Sequence, residues 1–233
     1  DLSLIVCCLV GLALNFTTAY AWGAMTRWLA SLVKSHQTGS LKLGGVLFLY
    51  SVPKGLLQFP AGWLADRKLC FRAGSRDFVV CGLFMMATGL VFMGLLAASG
   101  TSAETVIALA SPIAVLIGAG TAIAYSPIAA CVAAHSEPSR RASALGTYRA
   151  WRDAGYAVGG MVLGNAVEYA GGSAVIAPVL AAVAIVLVAG TFGKFYSERQ
   201  SVTVEAPVPH LEEPTEKLTS DDEASGYVNL ELS

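Results

Sequence analysis

Phe78–Ser99 reads FVVCGLFMMATGLVFMGLLAAS, 22 residues with no charged side chain. As a helix this run reaches about 33 Å at 1.5 Å per residue, enough to cross the ~30 Å hydrocarbon layer of a bilayer. Five further stretches share its character. They run from about Leu2 to Thr26, from Leu43 to Ala65, from Thr105 to Ala134, from Ala154 to Val167 with an amphipathic lead-in from Ala142, and from Ser173 to Gly193. The fourth in chain order is long for one crossing, and its Pro112 and Pro127 predict kinks, which membrane helices tolerate because neighbouring groups satisfy the freed backbone. The fifth is the least apolar, since Tyr148–Asp153 puts three charges at its start. The expected fold is all-α, a polytopic membrane bundle of six transmembrane helices within residues 1–197. The spans are placed at about 2–26, 43–65, 78–99, 105–134, 142–167 and 173–193.

Composition supports the same reading. Of the 233 residues, 55% are hydrophobic and only 13% charged, and the mean hydropathy is +0.62. A soluble domain carries about 25% charged residues, and so few charges could not cover this much apolar surface in water. This argues against a cytosolic enzyme, a nucleic-acid binder and a disordered chain. Five cysteines, Cys7, Cys8, Cys70, Cys81 and Cys131, form no C-x-x-C pair and read as small hydrophobes rather than a disulfide framework or a metal site. Leu2–Leu14 with Ala19-Tyr20-Ala21 has the outline of a signal peptide, but no basic segment precedes it and five more apolar runs follow. A first residue of Asp1 rather than Met points to a fragment, a processed form or a trimmed chain.

Basic residues orient the spans. Arg67, Lys68, Arg72 and Arg76 lie between spans two and three, Arg140, Arg141, Arg149 and Arg152 between four and five, and Lys194, Arg199 and Lys217 after six. The opposite side holds Arg27, Lys34 and Lys42, all in the first connection, the one discordant loop. Eleven of the fifteen Lys and Arg thus fall on one side, which places both ends of the chain in the cytoplasm. Residues 198–233 then change character. Glu205, Glu212, Glu213, Glu216, Asp221, Asp222, Glu223 and Glu231 accompany Pro207, Pro209 and Pro214, the composition of a disordered acidic tail. Within it, Tyr227–Leu230 has the pattern of a tyrosine-based sorting signal and Ser220 adjoins acids; a plain solvated tail is the alternative.

Span two ends in Gly62-Trp-Leu-Ala-Asp66-Arg67-Lys68, followed by Arg72, Gly74 and Arg76. This resembles the signature loop of the major facilitator superfamily: a glycine, three residues, Asp-Arg and a basic cluster, joining the second and third helices of each six-helix half. The continuation departs from the family's Gly-Arg-Arg, reading Lys68-Leu-Cys-Phe-Arg72 instead. A second run, ASALGTYRAWRDAGYAVG over residues 142–159, resembles the opening of the eleventh helix in members of that superfamily. Asn15 with Ala21-Trp22-Gly23, and Tyr50 with Gln58 and Gly62, resemble the seventh and eighth helices. The resemblance, over residues from about 15 to 165, implies the C-terminal six-helix half of a twelve-helix transporter, with the amino-terminal half missing. It further implies alternating access around a midplane cavity, lined by spans one, two, four and five.

Individual residues sharpen this picture. Gly62 allows close helix packing, while Asp66 can accept from an adjoining helix N-terminus or pair with Arg149 or Arg152 as a cytoplasmic gate, with Arg67 and Asp153 beside them. Simple headgroup contacts are the alternative to the gate. Gly155, Gly159, Gly160 and Gly164 form two overlapping G-x-x-x-G frames, readable as static helix packing or as a rocking interface between halves. Lys54 lies midway along span two beside Pro53 and Gly55, where a basic residue costs about 2.5–3.5 kcal/mol. Such residues face a wet cavity or the bundle interior; structural pairing and snorkelling from a misplaced span are the alternatives. Asn15, Tyr20, Trp22, Tyr50, Gln58, Tyr125 and Asn165 are further cavity candidates, though Tyr20 and Trp22 also suit an interfacial aromatic belt.

No cofactor or metal is expected. His36, His135 and His210 have no companions at ligand spacing, and no H-E-x-x-H, Walker glycine loop or G-x-S-x-G elbow occurs. Without an ATP site, an ion or substrate gradient would supply the energy. The partners expected are the lipid bilayer, the other six-helix half and a small-molecule substrate, which Lys54 tilts toward an anion or a zwitterion. Two rivals are a self-standing six-span protein that dimerises as a transporter or channel, and a non-transporting receptor or scaffold signalling through the acidic tail.

Overall fold

The computed structural model describes residues 2–35, 40–66, 74–170 and 174–196. Within them every regular element is a helix and there is no strand. Helix α1 (Leu2–Thr17) runs through a π-helical turn (Thr18–Trp22) straight into α2 (Gly23–Ser35). Helices α3 (Ser40–Leu56) and α4 (Gln58–Asp66) are separated only by Leu57. The hydrogen-bond ladder continues across that residue, since Leu57 N–H donates to the Pro53 carbonyl and Ala61 N–H to the Leu57 carbonyl, both at 3.0 Å. Then follow α5 (Ser75–Ala98), α6 (Ala103–Ala134), a 3-10 turn (Pro138–Arg140), α7 (Arg141–Ala170) and α8 (Ile176–Phe195).

Four of these rods are long and apolar enough to cross a membrane: Leu2–Lys34, Ser75–Ala98, Ala103–Ala134 and Ile176–Phe195. The six spans read from the sequence are not all of this kind. The α3–α4 rod carries Lys54, and α7 carries Arg141, Arg149, Arg152 and Asp153, so both have a diluted apolar character. One further expectation changes. Arg27 and Lys34, assigned to an external loop, lie on α2 as a continuation of the first rod. Pro112 and Pro127 both lie inside α6, a single helix of 32 residues.

Small residues set the packing, as they must where lipid offers no hydrophobic drive between helices. Gly82 on α5 and Gly120 on α6 face one another so closely that a Cβ on either would come within 2.6–2.7 Å of the other's carbonyl oxygen. Gly62 on α4 packs on Ser126 of α6, and Gly118 of α6 packs on the Tyr50 backbone of α3. These registers make α6 antiparallel to α5 and parallel to α3–α4. On the other side, α7 lies parallel to α1: Gly11 meets Tyr148, Gly155 meets Asn15 and Phe16, and Gly159 meets Phe16 and Ala19. Helix α8 lies along α5, antiparallel, with the Val179 side chain near Gly94 and Val80 near Gly193.

Contacts between helix ends agree with these directions. The Arg76 guanidinium at the start of α5 donates to the Gly193 carbonyl near the end of α8. The His135 ring after α6 meets the Tyr196 ring edge-on at 4.9 Å. At the other end Lys42 of α3 pairs with Glu104 of α6 at 3.6 Å, an exposed bridge. The α5–α6 connection turns through Gly100, whose φ of 62° suits glycine. The core is continuous, with Leu14, Met25, Leu83, Met86, Leu90, Ile117, Ile128 and Phe192 fully buried, while Val179, Leu180, Val183 and Leu187 of α8 point outward.

Candidate functional site

The α3 rod places Lys54 one helical turn after Tyr50, and the next turn brings Gln58, whose side-chain amide donates to the Lys54 carbonyl at 2.9 Å. Lys54 is half-buried. Its Nζ donates to the Tyr50 hydroxyl at 3.2 Å and, across the gap to α7, to the Tyr156 hydroxyl at 3.5 Å. The ammonium also stands 5.3 Å from the Tyr50 ring centroid and 5.9 Å from that of Tyr125 on α6, within cation–π range. No carboxylate pairs with Lys54 among the described residues.

The π-helical turn in the first rod completes the inner wall. Thr18 donates its hydroxyl hydrogen to the Leu14 carbonyl at 2.9 Å, a back-bond of the kind that bends helices. Its oxygen is 3.5 Å from the Tyr50 hydroxyl. With the Thr18 hydrogen engaged, Tyr50 is the donor of that pair, so hydrogen bonds run in one direction from Lys54 through Tyr50 and Thr18 to the Leu14 carbonyl. Trp22, at the end of the turn, stacks on Tyr50 with ring centroids 4.4 Å apart, and both are buried.

Next to this group the Tyr125 hydroxyl donates to Asn15 Oδ1. Asn15 is fully buried on α1, and its Nδ2 has no partner. The Arg152 guanidinium lies 5.6 Å from the Tyr125 ring centroid and is held by Asp153, with both Nε and a terminal nitrogen 2.9 Å from Oδ1. Removing the Tyr125 hydroxyl leaves both polar atoms of Asn15 unpaired. Buried orphans cost about 1–3 kcal/mol, and side-chain hydrogen bonds within membranes average ~0.6 kcal/mol, so Tyr125→Phe is expected to cost roughly 1 kcal/mol. Unfolding in detergent, run with Asn15→Leu and the double variant, checks this. A double variant as destabilised as the two singles summed would show the pair uncoupled.

Lys54, Tyr50, Trp22, Gln58, Tyr125 and Asn15 are thus brought together by the fold. Two other cavity candidates are placed elsewhere. Tyr20 stacks on Phe16 at 5.5 Å, and Asn165 is exposed far along α7 with no bond to the cluster. Thr18 and Tyr156 belong to the cluster and were not singled out from the sequence. For Tyr156 a signal existed, since it lies four residues after Arg152 and so on the same face of α7. The glycine frames divide. Gly155 and Gly159 are buried against α1, whereas a Cβ at Gly160 would meet nothing within 4 Å. Gly164 lies within α7, but its surroundings are outside the described residues, as are the Asp66 side chain and Arg67. Arg149 is exposed.

The fold is that of a helical membrane protein, with a polar, aromatic cluster gathered between α1, α3, α6 and α7. The family model described as Major Facilitator Superfamily matches residues 4–223, and the chain belongs to that superfamily of membrane transporters. It is accordingly an integral, multi-pass membrane protein. No curated protein matches the chain.

Proposed function

We propose that this chain acts in secondary active transport of a small molecule by alternating access. In that reading its rods form the C-terminal six-helix half of a twelve-helix transporter, with both ends of the chain in the cytoplasm. The observation that carries it is the Lys54 cluster, where a lysine at mid-depth is met by tyrosines from three helices and by no acid among the described residues. A charge there is costly unless it serves a wet path. Support for a second half comes from open glycines on the two helices that flank Lys54: Cβ atoms at Gly55 of α3 and at Gly160 of α7 would meet nothing within 4 Å, leaving room for close-packing helices.

The experiment is counterflow of a mixed metabolite panel into proteoliposomes holding the complete protein, combined with labelling of a cysteine at Gln58 in a cysteine-free background. Transport of at least one solute and labelling from both faces are expected. Labelling from one face under every condition overturns alternating access, and a panel with no solute moved overturns transport.

Asp66 carries the gate in this proposal. Because Asp153 already engages Arg152, exposed Arg149 is the better partner. An interfacial pair contributes up to ~1 kcal/mol, so Asp66→Asn is expected to change turnover by about fivefold with little change in KM. An unchanged turnover removes the gate.

A further inference from the structure

We infer that the Lys54 cluster binds a small organic anion of single negative charge through its carboxylate, an inference that rests on the transport reading above. Charge points to a monoanion. The cluster holds two cations, and Asp153 compensates one of them, Arg152, at 2.9 Å. Lys54 has no carboxylate partner among the described residues, only phenol oxygens and ring faces. Among the described residues the site therefore carries one uncompensated positive charge, which a monoanion neutralises and a dianion overshoots.

The inventory of donors and acceptors points the same way. An ammonium has three donor hydrogens and no acceptor. Two of them go to Tyr50 and Tyr156, leaving one. The Tyr50 hydrogen is committed to Thr18. The Tyr156 hydroxyl accepts from Lys54, and its own hydrogen has no acceptor among the described residues, while its side chain stands exposed at the open face. Asn15 Nδ2, in the adjoining buried pair with Tyr125, is another donor without a partner. The cluster thus presents spare donors and no spare carboxylate, the complement of a ligand made of acceptors. A carboxylate fits, with one oxygen on Lys54 Nζ and the other on the Tyr156 hydroxyl, and with the Tyr125 and Tyr156 rings beside its apolar body. An ammonium ligand would find a cation and donors already pointing at it.

Four probes of one shape and different charge test this: benzoate, phthalate, benzamide and benzylamine. Counterflow of each into proteoliposomes of the complete protein is measured alongside binding in detergent by Trp fluorescence. Benzoate is expected to bind and move, with phthalate, benzamide and benzylamine much weaker. Losing a charge-assisted bond in Lys54→Met should weaken benzoate binding roughly tenfold to a hundredfold. Lys54→Arg should recover part of it, and Lys42→Gln, which removes a distant surface charge, should leave it unchanged. Circular dichroism establishes that each variant is folded. Preference for benzamide or benzylamine overturns the anion and leaves transport standing, and preference for phthalate overturns the single charge. Benzoate binding that survives in folded Lys54→Met overturns the site. If none of the four binds while the metabolite panel moves, the inference fails and the transport reading survives.

Discussion

Gly118→Leu is expected to disable the protein although the substituted residue touches no ligand. A Cβ at this position of α6 would sit 3.1 Å from the Tyr50 carbonyl carbon and closer still to its oxygen. These are backbone atoms of α3, which cannot rotate away as a side-chain tip can. The whole α3 rod must move outward, taking Tyr50 from Trp22 and Lys54 from Tyr125. Overpacking costs about 1–3 kcal/mol where side chains can yield, and a backbone collision falls at the upper end or beyond. A fall of the thermal midpoint of the order of 10 °C in detergent is expected, with transport lost. Gly118→Ala should show the same effect in reduced form. A leucine variant as stable as the parent would mean that α3 and α6 do not meet at Gly118.

The second large effect separates two neighbouring glycines of α7. Gly159→Leu should destabilise the chain severely, because its Cβ would come within 2.6 Å of the Phe16 carbonyl oxygen and 3.0 Å of the Ala19 Cβ. Both contacts lie at the entry to the π-helical turn, so α1 cannot yield without disturbing Thr18 and Trp22. Gly160→Leu has open space and gains ~0.8 kcal/mol of helix propensity. It should fold normally, yet slow transport if a second helical half packs on that face. Thermal unfolding and counterflow of both variants provide the comparison. Equal loss of stability at the two positions would contradict the packing of α7 on α1, and full transport by Gly160→Leu would count against a second half on that face.

These two glycines also mark the boundary of what could be read in advance. The G-x-x-x-G frames were visible as letters, and small residues at that spacing announce a close approach. Which frame approaches which helix was not visible, because residues 155 and 159 differ from 160 only in the direction they face once α7 is laid against α1. Lys54 was legible for a different reason: an ammonium in an apolar run stands out against its neighbours whatever the fold. Its companions were legible in part. Tyr50 and Gln58 share its helix face at a spacing of four, whereas Tyr156 lies 102 residues away and no local pattern ties it to Lys54. Thr18 was missed because a threonine in a membrane helix is ordinary until the helix opens into a π turn around it. The distinction between six apolar stretches and four strongly apolar rods has the same origin, since Lys54 on α3 and the charges on α7 accompany the polar cluster.

Composition and the run of uncharged residues from Phe78 to Ser99 determined by themselves that this chain lives in lipid as helices, because desolvating a backbone or a charge there has no cheap alternative. The signature turn after Gly62 carried the superfamily at the level of local sequence. Tertiary structure alone decided which polar groups share one site, which glycines are committed to neighbours and which remain open. Those outcomes depend on the register between helices, and register is set by backbone approaches such as Gly118 on Tyr50 that no single helix encodes.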